Sequence, residues 1–124
     1  MDSFQLECAA VKRWTNKKKD ASARRIEFKI TVQSMKNLLK AKRCYYTGML
    51  LTDQKPGEPV KPTDRTIDRV DSNKGYIPGN VVACCQVANT VKSVFENPET
   101  PLDIADAIKL FKRTEQHCKK KLKK

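Results

Sequence analysis

The chain has 124 residues, 39% hydrophobic and 32% charged, and carries a net charge of +12 from 26 Lys/Arg against 14 Asp/Glu. That length suits one compact domain with a single modest core, and no apolar run approaches the roughly 20 residues that span a bilayer. The opening "MDSFQLECAAVKRW" lacks the basic-then-apolar plan of a signal peptide, so the expectation is a soluble, intracellular protein with no membrane partner.

The positive charge is unevenly placed. Residues 1–43 hold 12 basic and 4 acidic side chains (net +8), 44–105 hold 6 and 8 (net −2), and 106–124 hold 8 and 2 (net +6). Basic flanks around an acid-bearing middle suit a protein that grips a polyphosphate and holds a divalent cation beside it. Five cysteines (Cys8, Cys44, Cys84, Cys85, Cys118) are odd in number and come without a secretory signal, which argues against a disulfide framework.

Residues 1–24 form a basic N-terminal segment, in which Lys17, Lys18, Lys19 and Arg24, with Arg25 just beyond, are candidate contacts to nucleic-acid phosphates. Trp14 suits either stacking on a base or anchoring this segment. "RRIEFKIT" (24–31) alternates Ile26, Phe28 and Ile30 with Arg25, Glu27 and Lys29, the period of a strand. "VQSMKNLLKAKR" (32–43) puts Val32, Met35, Leu38 and Leu39 on one helical face, with Thr31 or Ser34 able to cap it.

"CYYTGMLL" breaks at Gly48, with Tyr45 and Tyr46 taken as packing residues, and "TDQKPGEPVKPTD" is a loop. Next come a short strand in "RTIDRV" (65–70), a loop in "DSNKGYIPG" and a second strand in "NVVACC" (80–85). "QVANTVKSVF" (86–95) predicts a helix with Val87, Val91 and Val94 aligned. After "ENPETP", residues 102–118 predict an amphipathic helix with Leu102, Ile104, Ala105, Ile108 and Phe111 inward, and 119–124 is a lysine-rich tail. The fold class is α+β.

The order strand, loop, strand, helix over 66–93 sets a side chain of the first strand beside one of the helix. A cation can be held between them, with positions left for phosphate and water. Asp68 offers a hard anionic oxygen and Asn89 a neutral amide oxygen, both suited to Mg²⁺ or Mn²⁺.

"TIDRVDSNKGYIPGNVV", followed by "VANTVKS", resembles the HNH (ββα-metal) endonuclease family, in particular a phage- and homing-type subgroup with a D-R-[IV]-D first motif. The likeness runs roughly over 28–118: "FKITVQSMKNLL…KRCYYTGMLL" is similar to the segment ahead of the motif, and "PLDIADAIKLF" to the closing helix. It implies a nuclease domain over 25–118 with a ββα-metal core at 64–96 and flanking helices. The implied activity is Mg²⁺- or Mn²⁺-dependent cutting or nicking of DNA, in host cytoplasm if phage-encoded. By the same resemblance Asp68 matches the metal-binding acid and Asn89 the second ligand. Asn80 matches the middle asparagine, which ties the loop through backbone hydrogen bonds without touching the metal. Arg69 falls where active members carry the general-base histidine.

An arginine, with a pKa above about 12, cannot take a proton from water near neutrality. It can clamp a phosphate oxygen or stabilise charge in the transition state. Proton acceptance is left to Asp71, to Asp64, or to no protein group at all. His117, the single histidine, lies by the lysine tail and is taken as a surface residue. Lys92, one turn after Asn89, is a further candidate phosphate contact.

Many relatives clamp zinc with two C-x-x-C knuckles. Here those positions read Cys44-Tyr45-Tyr46-Thr47 and Cys85-Gln86-Val87-Ala88, and two thiolates make a poor tetrahedral site. The expectation is therefore no structural zinc, with Cys44, Cys84 and Cys85 as buried residues. The alternative function is an HNH fold that has lost catalysis and binds nucleic acid or a partner protein. RNA is a further option for the polymer.

Overall fold

A computed structural model describes residues 2–118, so the lysine tail at 119–124 lies outside the described residues. The N-terminal segment is a helix, α1 (Ser3–Ala23). Asp2 Oδ1 accepts from the Gln5 amide at 2.7 Å while Gln5 Oε1 accepts from the Asp2 amide at 3.0 Å, a reciprocal cap. At the other end the Ile26 amide reaches the Ala21 carbonyl and the Arg25 amide the Ser22 carbonyl, a Schellman closure. Arg25 sits there at φ +57°, where glycine is usual.

The 1–24 segment is thus not an appendage. Ala10, Trp14 and Ala21 share a helix face, and both alanines are fully buried. Trp14 Nε1 donates to the Ile30 carbonyl at 2.8 Å, and its ring meets Phe28 edge-on at 5.6 Å. Phe28 in turn tilts against Tyr76 at 5.8 Å. This aromatic chain, with Ile30, Met35, Ile67 and Ala83, makes the main core.

Residues 24–31 keep the predicted alternation, with Ile26, Phe28 and Ile30 inward and Arg25, Glu27 and Lys29 exposed. They do not form a strand, however. Only a single bridge, Phe28 to Tyr76, pairs them, through Lys29 N to Tyr76 O (2.7 Å) and Tyr76 N to Glu27 O (2.8 Å).

Helix α2 (Val32–Lys40) is capped by Thr31, whose hydroxyl accepts from the Ser34 amide at 3.0 Å. It stops three residues short of the predicted 32–43. Arg65 Nη1, from the first strand, takes the Leu38 and Ala41 carbonyls at 2.8 and 2.6 Å. These carbonyls at the helix end are satisfied by a distant side chain and not by further helix.

Strands β1 (Arg65–Arg69) and β2 (Val81–Cys85) pair antiparallel, Arg65 opposite Cys85 and Asp68 opposite Val82. Two strands alone are marginal in water; buried Ile67 and Ala83 tie this pair to the core. Helix α3 (Gln86–Glu96) follows β2 directly. Its first amides, of Gln86 and Val87, donate to the carbonyls of Asp64 and Pro62 at 2.9 Å each, so backbone replaces a capping side chain.

The chain divides into two compact units, Met1–Asn89 and one beginning at Thr90, and α3 runs from the first into the second. In the second unit α4 (Ile104–His117) is capped by Asp103, which accepts from the Asp106 amide at 2.8 Å, and Phe95 meets Phe111 edge-on at 6.0 Å. Of the predicted inward set, Leu102 is half-buried ahead of α4, whereas Ile104, Ala105, Ile108 and Phe111 are exposed and Ala107 is the helix residue that is buried. Val87, Val91 and Val94 of α3 are exposed as well. A unit of fewer than about 40 residues buries little apolar surface of its own. Among the described residues no helix is long and apolar enough to cross a membrane.

Candidate active site

Strand parity decides which candidates share a surface. Arg65 and Ile67 of β1 are buried, and Asp68 lies on the other face. Asp68 and Arg69, neighbours in sequence, therefore point to opposite sides of the hairpin.

Arg69 is turned to the loop that joins the strands. Its Nη1 donates to the Ser72 and Lys74 carbonyls at 2.9 and 3.0 Å, and the guanidinium lies 5.4 Å from the centre of the Tyr76 ring. These contacts make it a brace of the 70–79 loop. Asn80, 7% exposed, braces the same loop from its far end. Its Oδ1 accepts from the Asp71 amide at 2.9 Å, and its Nδ2 donates to the carbonyls of Asp71 and Gly75 at 3.1 and 2.9 Å. The backbone joins in, Val70 N to Asn80 O at 2.9 Å.

Asp68 is half-buried, and its Oδ2 accepts from the Tyr46 hydroxyl at 2.7 Å. Tyr46 comes from the 44–49 turn, which is held to β2 by the Tyr45 amide on the Ala83 carbonyl at 3.0 Å. Tyr45 stands edge-on to Tyr46 at 5.2 Å and is largely exposed. The expectation that Tyr46 only packs is corrected: it fixes the carboxylate of the leading ligand candidate. Asn89 is the fourth residue of α3 and half-buried. Because β2 passes into α3 without a linker, Asp68, Asn80 and Asn89 belong to one strand–loop–strand–helix unit.

Other candidates are placed elsewhere. Asp71 Oδ1 accepts from the Asn73 amide at 3.0 Å, opening an Asx turn in the loop. Asp64 is 2% exposed, with Oδ1 on the Thr52 hydroxyl at 2.5 Å and Oδ2 on the Lys61 amide at 2.8 Å. The Lys61 amide first, then Thr52, hold its pKa below the ordinary carboxylate value. A buried, doubly bonded, weakly basic carboxylate is structural, which removes Asp64 as a proton acceptor. His117 is exposed in the last turn of α4.

Of the proposed phosphate contacts, Lys92 pairs with Glu96 at 2.7 Å and Arg24 with Asp20 at 3.2 Å. Lys17 Nζ lies 5.6 Å from the Tyr76 ring centre and Lys18 Nζ 5.0 Å from that of Trp14. Lys19 and Arg25 are exposed. Three consecutive lysines on a helix fan out by about 100° each, so Lys17, Lys18 and Lys19 do not form one patch.

Cys44, Cys84 and Cys85 form a second buried cluster with Leu51 and Ala88 against it. Burial raises the Cys44 pKa, but hydrogen bonds from the Thr47 side chain and from the amides of Cys85, Thr47 and Tyr46 outweigh it, bringing it from 9.0 to about 7. Among the described residues no three His, Cys, Asp or Glu side chains converge on a possible metal position. A cation at Asp68 would therefore complete its shell with neutral oxygens, water and phosphate.

Fold and site together define a small α+β protein built on a hairpin-to-helix unit with one carboxylate and two asparagines. No family model and no solved structure matches the chain. Over 73 residues it is 34% identical to an uncharacterized 29.0 kDa protein of the dda-modA intergenic region of Enterobacteria phage T4. The match takes in 59% of this chain and 27% of that protein, so the chain spans about a quarter of its relative's length.

Proposed function

We propose that the chain is a Mg²⁺- or Mn²⁺-dependent endonuclease of the HNH type that cuts or nicks DNA, with its ββα core at 64–96. The observation that carries this reading is the hairpin presenting Asp68 on one face and running without a linker into the helix that bears Asn89. Asn80 pins the intervening loop. The donor set fits: Mg²⁺ is held by one or two carboxylates and keeps its other positions for water and phosphate. When bound, such a cation neutralises charge on the scissile phosphate and the departing oxygen.

The chain's own residues supply the rest. Tyr46 orients the Asp68 carboxylate, and Arg69 and Asn80 hold the loop that fixes the strand ends. The basic flanks hold the nucleic-acid backbone, and with Asp71 engaged in the loop turn the proton of the attacking water passes to solvent. The likeness to a phage T4 protein supports a phage or mobile-element source. Supercoiled plasmid incubated with protein and Mg²⁺ or Mn²⁺ should convert to nicked or linear forms, and EDTA should stop it. Supercoils that persist with either metal would overturn the proposal.

One observation favours a second reading. The side chain at the position of the family's base is an arginine turned to loop carbonyls, as in an HNH fold that binds nucleic acid without cutting it. That reading predicts salt-sensitive binding without turnover, unchanged by Asp68→Ala.

A further inference from the structure

A cleft of about 720 Å³ opens between α1 and the N-terminal end of β1, within the unit that holds Asp68. Lys12, Arg13 and Lys17 line it from the helix, and Arg65 from the strand. Arg13 and Lys17 are four residues apart and so share a helix face. The three carboxylates of the lining are each committed. Asp20 pairs with Arg24 at 3.2 Å, Asp53 with Arg65 Nε at 2.9 Å, and Asp64 is bonded by Thr52 and the Lys61 amide.

Arg13 is bonded differently: its Nη2 donates to the Arg65 backbone carbonyl at 3.2 Å. A carbonyl cancels no charge, so Arg13 and Arg65 share Asp53 in a partly desolvated corner, and over the whole lining four cations face three carboxylates. Burial, then repulsion from Arg65, lower the Arg13 pKa against the opposing pull of Asp53. The excess positive charge is what an entering anion would relieve.

We propose that this cleft is a binding subsite for the phosphodiester backbone of a single nucleic-acid strand, distinct from the Asp68 site. Its volume falls among small-ligand clefts, about 300–1,000 Å³, which admits a nucleotide of one strand and not a duplex. Neutral side chains of Asn16, Gln54, Thr66 and Gln86 lie beside the cations and suit sugar and base edges. Arg65 and Asp68 are three residues apart on β1, roughly 10 Å at about 3.3 Å per residue, and face opposite ways, so the cleft is a site separate from the Asp68 one. The proposal rests on the nuclease reading only for its choice of polymer.

The test is a fluorescence anisotropy titration of a short labelled single-stranded DNA against salt, with EDTA present. Lys12→Gln/Lys17→Gln is compared with Lys55→Gln/Lys74→Gln, which removes the same charge at exposed positions outside both the cleft and the basic flanks. The cleft pair should weaken binding by about tenfold and flatten the plot of log K against log salt by about 1.4, roughly 0.7 per lost contact. The control pair should change affinity less than about twofold and leave the slope as it was. Equal effects from the two pairs would overturn the subsite. Should the double variant unfold, Lys12→Gln alone, at an exposed position, should give about half the slope change. Inorganic pyrophosphate forms a second arm: if it raises the melting temperature of wild type but not of the cleft variant, while oligonucleotide binding is identical in both, the strand is refuted as the ligand. Because cutting is off in EDTA, failure here leaves the Asp68 proposal standing, and an inactive Asp68 site leaves this one standing.

Discussion

Replacing Asn80 with alanine should loosen the loop between β1 and β2 without unfolding the protein. The side chain makes three hydrogen bonds to backbone, at 2.9, 3.1 and 2.9 Å, from a 7% exposed position. At a net 0.5–1.5 kcal/mol each they amount to about 1.5–4.5 kcal/mol. Ser72, Asn73 and Lys74 are exposed, so water can re-satisfy part of the loop. We expect a loss of about 2–3 kcal/mol. A domain of this size has roughly 5–15 kcal/mol to lose, so the variant still folds. At about 4 °C per kcal/mol its melting temperature should fall by about 8–12 °C. Asn80→Asp keeps the acceptor for the Asp71 amide but turns a carboxylate oxygen on the Asp71 and Gly75 carbonyls, so it should cost at least as much. Circular dichroism on heating and in urea reads both. A loss under about 0.5 kcal/mol for Asn80→Ala would refute the loop-pinning account.

Tyr46→Phe removes one donor to Asp68 Oδ2; under the proposed function the Mg²⁺ concentration for half-maximal cleavage should rise by about tenfold, the low end for loss of a group that orients a metal ligand because the site is half open. An unchanged metal titration would count against Tyr46. Gly75→Ala would set a Cβ against the Glu27 carbonyl and 2.7 Å from the Glu27 Cβ, prising 27–29 from Tyr76. Urea unfolding should show a loss of about 1–3 kcal/mol, and an unaltered midpoint would contradict the packing. Cys44 is depressed from 9.0 to about 7 in the folded state. Its contribution to stability is therefore full above pH 9.0 and lost as pH falls through about 7. The stability difference between wild type and Cys44→Ala should grow from pH 6 to pH 9 in paired denaturation curves; a pH-independent difference would refute the thiolate.

The hairpin and its helix were legible because their signals are local. "RTIDR" and "VVACC" are short β-branched runs bounded by turn residues, and α3 begins where the valines change period. Strand parity separates Asp68 from Arg69, and the expectation that Arg69 clamps phosphate beside Asp68 did not take it into account. Helix α1 was hidden because its buried stripe is mostly alanine among lysines, a weak contrast. The end of α2 and the role of Tyr46 depend on partners far along the chain, Arg65 for one and Asp68 for the other. The faces of α3 and α4 misled for the opposite reason. Their amphipathic pattern is present, but Val91 and Val94 of α3 and all of α4 fall in the second unit, which is too small to bury it; the exposure of Val87, in the first unit, has no structural explanation.

The central claim rests on Asp68. Wild type and Asp68→Ala, each shown folded by circular dichroism, should be incubated with supercoiled plasmid in Mg²⁺ and the products followed on one gel. The account predicts nicked or linear product from wild type and none above background from Asp68→Ala. Equal cutting by both proteins, or by wild type in EDTA, would contradict it.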